Sequence, residues 1–475
     1  MNRKANNLIL MADGYKYSHH KLYYPGTTKV FSYLESRGGK FNTTVFYGLQ
    51  YFLKEYLEGV VITQEKLNEA ETFLKQVFGR DDVFDRAKFQ YIIDVHKGKL
   101  PVRIKAVPEG TEVPTGNVLM TIENTDERCF WLTNFLETLL MQVWYPITVA
   151  TLSHEIKKVI TRAYKRTASE GSHAGIDFVL NDFGFRGVSS VESAGLGGSA
   201  HLVNFMGSDT IAGSCLATNY YNTEKVYGAS IPATEHSICT LLGEEGEMDI
   251  FKHVIETFPS GLVACVSDSY NIFRAAEKYW GEALKDQVVD RDGVLVIRPD
   301  SGDPIQTLLK VFEILFEKFG CVTNAKGFKV LPEKIRVIQG DGINYESIVG
   351  IYEALEQNGI SAENLVLGMG GALLQKVDRD TQKFALKCSY AEINGERIEV
   401  KKSPVEMDEN GNITSSFKKS KEGRLKLIIN GGYKTVKEEE NDLPNELVMV
   451  FENGEVKQAW TFEEIRDRVK ILDHK

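Results

Sequence analysis

Cysteine is scarce and scattered. Six cysteines stand in 475 residues, at Cys129, Cys215, Cys239, Cys265, Cys321 and Cys388, and no two form a CxxC pair. That spacing excludes a disulfide framework and gives no zinc-ligand pattern, so free thiols and a reducing, cytoplasmic compartment are expected. Long uninterrupted apolar runs are also missing. Residues 8–12 follow Arg3 and Lys4 but end at Asp13 and Gly14, too short for a signal-peptide core. The stretch 130–152 carries Asn134, Glu137, Gln142 and Pro146, so a buried helix followed by a strand is expected there and no membrane span. Nor is there a surplus of positive charge. Lys+Arg 56 against Asp+Glu 66 leaves −10, and the basic residues are dispersed, which argues against nucleic acid and anionic lipid as partners.

What is present is the composition of a globular protein able to bury a large core, with 43% hydrophobic and 26% charged residues. At roughly 150 residues per domain the length suggests about three domains, or two when one is an α/β barrel. Residues 1–170 mix short strands with helices. Within them 63–79 predicts an amphipathic helix with a hydroxyl cap and a terminal glycine, and 102–122 predicts a small antiparallel sheet. From 177 to 375 a short apolar run, a polar or glycine-rich loop and a helical pattern recur. The runs begin at Phe178, His201, Ala229, Leu262, Val294, Ile335 and Leu365. Such alternation implies a parallel sheet, doubly wound or closed into a barrel. Asp303, Pro304 and Gly320 bracket one of the helices. Beyond Gln375, Asn394-Gly395, Asn430-Gly431-Gly432 and Asn453-Gly454 predict hairpins, a helix is expected from Thr461 to about Lys470, and 406–423 reads as a loop.

The loops after the apolar runs carry the chemistry. Asp182-Phe183 with Arg186, Ser208-Asp209, Glu235-His236, Ser267-Asp268, Arg298 with Asp300, Gly340-Asp341 and Gly370-Gly371 all fall at or just past a predicted strand's C-terminal end. In a βα barrel those positions ring one site. Arg186 and Arg298 are forks suited to phosphate oxygens, Gly370-Gly371 can expose backbone N–H groups, and Asp268, Asp300 and Asp341 suit sugar hydroxyls or Mg²⁺. Taken singly these residues also fit ion pairs, helix caps and tight turns, and Tyr15 with His19-His20 fits a plain surface. Together they indicate a polyphosphorylated ligand, with phosphoribosyl transfer, aldolase, isomerase and kinase-like chemistry all open.

The strings Phe183-Gly-Phe-Arg-Gly-Val-Ser-Ser, Pro232-Ala-Thr-Glu-His-Ser, Ile297-Arg-Pro-Asp-Ser-Gly, Val337-Ile-Gln-Gly-Asp-Gly and Leu373-Leu-Gln-Lys resemble the nicotinamide phosphoribosyltransferase family of type II phosphoribosyltransferases, over essentially the whole chain. The resemblance implies an irregular βα barrel (171–377) inserted in an α+β domain (1–170 and 378–475) with an antiparallel sheet and C-terminal hairpins. It implies a cytoplasmic homodimer that makes nicotinamide mononucleotide and pyrophosphate from nicotinamide and phosphoribosyl pyrophosphate (PRPP), with Mg²⁺ carried by PRPP and ATP as co-substrate. By the same resemblance Phe183 and a neighbouring subunit's Tyr15 sandwich the pyridine ring, and Asp209 accepts from its carboxamide. Arg186, His236 and Arg298 hold pyrophosphate, Asp300 and Asp341 the ribose, and Gly340, Gly370 and Gly371 the 5′-phosphate. Arg379 and Lys387 arrive from the other subunit. His236 matches the family's phosphorylated histidine, oriented by Asp268. Asn181, Ala264 and Ala385 depart from the pattern of animal members. The alternatives are a nicotinate phosphoribosyltransferase, disfavoured by Asp209, a non-catalytic binding protein, and a phosphosugar aldolase or isomerase, which needs a barrel lysine or general base that the strand ends lack.

Overall fold

A computed structural model describes residues 7–407, 411–415 and 420–470. Contacts divide the chain into two units. One runs to Thr151 and takes in Tyr220–Asn222 and Asp378–Val469, and the other is Leu152–Asn219 with Thr223–Val377.

The first unit is built on a seven-stranded antiparallel sheet in the spatial order Glu396–Glu399, Phe384–Ile393, Thr27–Ser36, Val118–Asn124, Val102–Ala106, Val448–Glu452, Glu455–Val456. The strand 27–36 is central and buried from Val30 onward, because it is covered on both faces. Its partner strand 384–393 comes from more than 340 residues away, in a register that pairs Tyr33 with Lys387 and Glu35 with Ala385. The Asn-Gly turns form as their chemistry dictates. Asn394 and Gly395 have φ of 53° and 80°, and Asn453 and Gly454 have 51° and 82°, the left-handed pair that a two-residue hairpin requires. Gln64–Phe78 is helical, with the Thr63 side chain accepting from the Lys66 N–H and Gly79 at φ 63° ending it.

Two expectations in this unit are corrected. Residues 130–152 contain no strand: short helical turns lead into one long helix, Trp144–Thr167. Pro146 is accommodated in the first turn of that helix, where no N–H is needed. The helical stretch 127–167 is long and apolar enough to cross a membrane, but 67% of its apolar window is buried within the protein. Residues 406–423 are not simply a loop, since Val405–Met407 pairs with Ile413–Ser415 in a ribbon. The polar positions 408–410 and 416–419 lie outside the described residues.

The second unit holds a five-stranded, wholly parallel sheet in the order Leu180–Asp182, Leu365–Met369, Ile335–Gln339, Asp292–Arg298, Ser260–Val266. Isolated parallel bridges continue it at both edges, Asp182 to Ser208, Gly207 to Ala229, and Ala233 to Ala264. Ala264, Val296 and Ile338 form a buried cluster on three of its strands, with Phe183 and Ile231 packed against it. The helix Pro304–Phe319 starts at an Asp303 cap with Pro304 in its first turn and ends at Gly320.

The runs at His201 and Ala229 are not strands. His201 belongs to the helix Val191–Leu202, and its imidazole lies within 3.2 Å of the Leu180 and Gly207 carbonyls. That helix is glycine-rich because its neighbour, Ile211–Tyr220, lies almost against it; a Cβ on Gly213 would stand 2.5 Å from the Gly198 carbonyl carbon. At 229 only Ala229 joins the sheet, through its bridge to Gly207.

Candidate active site

Every strand of the parallel sheet leads, at its C-terminal edge, into residues that the sequence singled out. Asp182 closes the first, and Phe183 and the short turn Phe185–Gly187 with Arg186 follow it. Asp268 follows 260–266, Arg298 ends 292–298 with Asp300 two residues on, Gly340-Asp341 follow 335–339, and Gly370-Gly371 follow 365–369. Asp209 and His236 stand beyond the bridged segments at 207–208 and 233. The second unit thus gathers nearly all the residues that the sequence singled out within it.

Their contacts define two linked groups. The His236 ring nitrogen Nε2 lies 3.0 Å from Asp268 Oδ1; His236 is half exposed while the Asp268 side chain is almost wholly buried. An imidazole held this way by a carboxylate has its Nε2 engaged and its Nδ1 left unengaged by that partner. The Arg298 guanidinium forks onto Asp300 at 2.9 and 3.1 Å and lies over the Phe183 ring at 5.3 Å. Burial raises the Asp300 carboxyl above its ordinary value, with Asp268 adding to the rise and Arg298 and His236 opposing it. The dyad and the fork therefore share one electrostatic field.

Two glycines stand directly against these side chains. A Cβ at Gly368 would stand 2.0 Å from Phe183 Cε2, and one at Gly340 would stand 2.9 Å from Asp300 Oδ1 and 3.0 Å from Arg298 Nη2. The aromatic ring and the fork both depend on bare backbone next to them.

Asp209 Oδ1 accepts from the Ser230 hydroxyl at 2.5 Å. No local motif points to Ser230. Asp182, fully buried, accepts from the Gly184 N–H at 2.7 Å. Burial pushes its carboxyl up to about 6, with the Gly184 N–H and Thr210 hydroxyl pulling the other way and the Asp209 charge adding to the rise.

Tyr15, Arg379 and Lys387 belong to the first unit. Tyr15 precedes the helix Lys16–Leu22 and is 60% exposed. Arg379 and Lys387 line a cavity of about 450 Å³ together with Arg37, Glu137, Lys383, Ala385 and Lys402. Burial lowers the Lys387 ammonium, Glu137 opposes this, and Arg37, Lys402 and Arg379 lower it further. Cations crowded to that degree suit a multiply charged anion. Arg37 and Lys402 were not legible in the sequence, because the antiparallel pairing that assembles the cavity joins segments hundreds of residues apart.

Glu247, at the start of the helix Glu247–Thr257, is fully buried, and neither carboxylate oxygen has a hydrogen-bond partner among the described residues. Burial pushes its carboxyl up to about 7, with Glu244 and Asp268 adding to the rise and Arg274, 4.0 Å away, opposing it. A carboxyl raised by folding contributes stability below its unfolded value of about 4.5 and loses it as pH rises through about 7. Glu247→Gln should therefore melt progressively higher relative to the wild type as pH goes from 4.5 to 8. A difference in Tm that does not change across this window would show that Glu247 does not titrate there.

Comparison with known proteins places these features. Residues 178–451 match the nicotinate phosphoribosyltransferase (NAPRTase) family, and residues 7–104 match the N-terminal domain of nicotinamide phosphoribosyltransferase. A nicotinamide phosphoribosyltransferase of Xanthomonas campestris pv. campestris is 46% identical over 471 residues, covering 97% of each chain. One of Acinetobacter baylyi is 32% identical, covering 98% of this chain and 97% of its own. Among solved structures, nicotinate-nucleotide pyrophosphorylase from Pyrococcus furiosus shares the fold with a TM-score of 0.59 at 16% identity, covering 99% of this chain and 97% of its own. Human nicotinic acid phosphoribosyltransferase does so with a TM-score of 0.56 at 17% identity, over 97% and 93%.

Proposed function

The chain belongs to the nicotinamide phosphoribosyltransferase family, and from that membership we propose that it joins nicotinamide to the phosphoribosyl group of PRPP, releasing pyrophosphate, as the nicotinamide-salvaging step of NAD synthesis. The observation that carries the reading is the stack of the Arg298 guanidinium on Phe183 at 5.3 Å, within the ring of strand ends that also bears Asp209, His236, Asp268 and Asp300. A flat aromatic platform for a heterocycle stands beside a permanently charged fork for a leaving polyphosphate.

The chemistry asks little else of the protein. The pyridine nitrogen uses its own lone pair to form the bond to ribose C1, and the electrons of the C1–O bond leave with pyrophosphate, so no general base is needed. Phe183 orients the ring, Asp209 accepts from the carboxamide N–H, and Arg186 and Arg298 stabilise the departing charge. Asp300 and Asp341 face the ribose, where a carboxylate favours positive charge developing on the sugar. Gly340, Gly370 and Gly371 leave backbone N–H groups open to the 5′-phosphate. The carboxylates of Asp300 and Asp341 are hard oxygen donors of the kind that Mg²⁺ prefers, which fits a metal brought in with PRPP.

The bridged parallel sheet is read as an irregular barrel with the site at its C-terminal mouth. The exposure of Tyr15 and the cation-lined cavity of Arg379 and Lys387 support a homodimer in which these groups complete the site of a second copy. A cytoplasmic enzyme is consistent with the free thiols. ATP is read as a co-substrate: its γ-phosphoryl passes to His236 Nδ1, ADP leaves, and the phosphohistidine reorganises the polyphosphate site.

The direct test is mass spectrometry of the product formed from nicotinamide, PRPP and Mg²⁺, with and without ATP. Nicotinamide mononucleotide with equimolar pyrophosphate is the expected result. Nicotinate mononucleotide formed preferentially from a mixture of the two bases would assign the chain to the acid.

A further inference from the structure

Three donors of different chemistry meet in the first unit, apart from every residue used above. His96 ends the helix Arg86–His96, Asp126 caps the short turn Glu127–Cys129, and Cys129 ends that turn. One candidate ligand atom from each lies within 4.8 Å of the other two. His96 Nε2 is 2.8 Å from Asp126 Oδ2, with both side chains partly exposed, and Cys129 is fully buried. We infer that His96, Asp126 and Cys129 form a binding site for a zinc-class divalent transition ion.

The donor set selects the class of ion. One imidazole nitrogen, one carboxylate oxygen and one sulfur suit Zn²⁺ or Co²⁺, whereas Mg²⁺ and Ca²⁺ take oxygen alone. A neutral imidazole, a carboxylate and a thiolate also balance a 2+ ion, which matters beside a buried sulfur. Three protein ligands are the usual number where a fourth position stays open to solvent or ligand.

The surroundings are built as metal-ligand surroundings are. Asp126 is oriented through both oxygens: Oδ1 accepts from the Arg128 N–H at 2.7 Å and Oδ2 from the Tyr91 hydroxyl at 2.9 Å. The Tyr91 ring is itself held under the Arg128 guanidinium at 4.0 Å. Outer partners of this kind fix a ligating carboxylate. His96 and Asp126, though not the buried Cys129, also line a cavity of about 630 Å³, shared with Lys99, Thr125 and Asn453, which opens two of the three donors to solvent. As a metal–sulfur bond forms, the Cys129 thiol proton passes to water, so ions with high thiolate affinity are favoured. No spacing rule finds this site, because His96 stands 33 residues before Cys129 in another element.

The test uses the full chain, stripped of metal by chelation and titrated with Co²⁺ as the probe. One equivalent should produce thiolate-to-cobalt charge-transfer absorption in the near ultraviolet, with visible bands of low coordination number, and Zn²⁺ should bleach both. Cys129→Ser should remove the charge-transfer band. His96→Gln, at a part-exposed position that folding tolerates, should weaken Co²⁺ binding by at least about tenfold. Absence of a charge-transfer band in the wild type, its persistence in Cys129→Ser, or unchanged affinity in His96→Gln would each overturn the assignment. Co²⁺ held only by the carboxylates of the catalytic unit gives no sulfur band and counts against the site.

Discussion

His236→Ala is expected to bring ATP hydrolysis down to background and to erase any increase in transferase rate on adding ATP, while slow ATP-independent transfer persists. The expectation follows from the dyad geometry. Asp268 engages Nε2 at 3.0 Å and is itself almost entirely buried, so the carboxylate holds the ring by that nitrogen and Nδ1 is the one it leaves unengaged. A buried acidic partner also stabilises the imidazolium-like charge that arises as the phosphoryl group transfers. Asp268→Asn retains the shape and removes that charge, so ATP hydrolysis should fall by at least about a hundredfold, within the range ascribed to acid–base partners. The basal transferase should change far less, because the pyridine nitrogen needs no base. ATP turnover by purified enzyme, measured as ADP formed with nicotinamide and PRPP absent, checks both variants. Undiminished ADP formation by His236→Ala would remove the phosphohistidine from the mechanism.

The second large effect concerns the choice between amide and acid. Asp209, fixed by Ser230, offers an acceptor that suits a carboxamide N–H and opposes a carboxylate. Like charges brought together in a partly desolvated pocket cost on the order of several kcal/mol, so on the proposed reading nicotinate would be rejected by charge rather than by shape. Asp209→Asn removes the charge at nearly constant volume. Nicotinamide should lose efficiency while nicotinate gains, and the ratio of their kcat/KM values should narrow by at least about tenfold, roughly 1.4 kcal/mol. Asp209→Ser should move it the same way with poorer orientation of the ring. Competition between the two bases at saturating PRPP measures the ratio. If it holds constant while overall activity falls, Asp209 merely supports the loop, and the preference must arise elsewhere.

The second unit was legible in the sequence wherever a parallel strand was followed by a loop and a helix. The strands at 263–266, 295–297 and 365–367 have near-continuous apolar character because both of their faces are packed, and their C-terminal ends had to carry the polar residues. The run at 201 misled for a physical reason. His201 has the burial of a strand residue, but the glycines before it allow two helices to pack closely, and the apolar residues are a helix end. The run at 229 reduces to a single bridged residue. The stretch 130–152 misled because Pro146 reads as a break, although a proline in a first helical turn costs nothing. Ser230, Arg37 and Lys402 gain their meaning only from neighbours brought close by folding. Local patterns do not encode that kind of proximity, and the trio at His96, Asp126 and Cys129 escaped for the same reason.

The Arg298–Asp300 fork has a consequence for how the enzyme meets ordinary salt. Both charges are already matched to each other, with side chains only 22% and 16% exposed. A small lone anion that approaches Arg298 must pull it from a charge-assisted pair and strand Asp300, so it gains little by entering. A ligand that arrives as an oxyanion together with its own counter-cation can exchange both partners at once and leaves neither side chain bare. On the function proposed above, a sugar pyrophosphate that carries its own Mg²⁺ would be favoured at this fork over chloride or free phosphate.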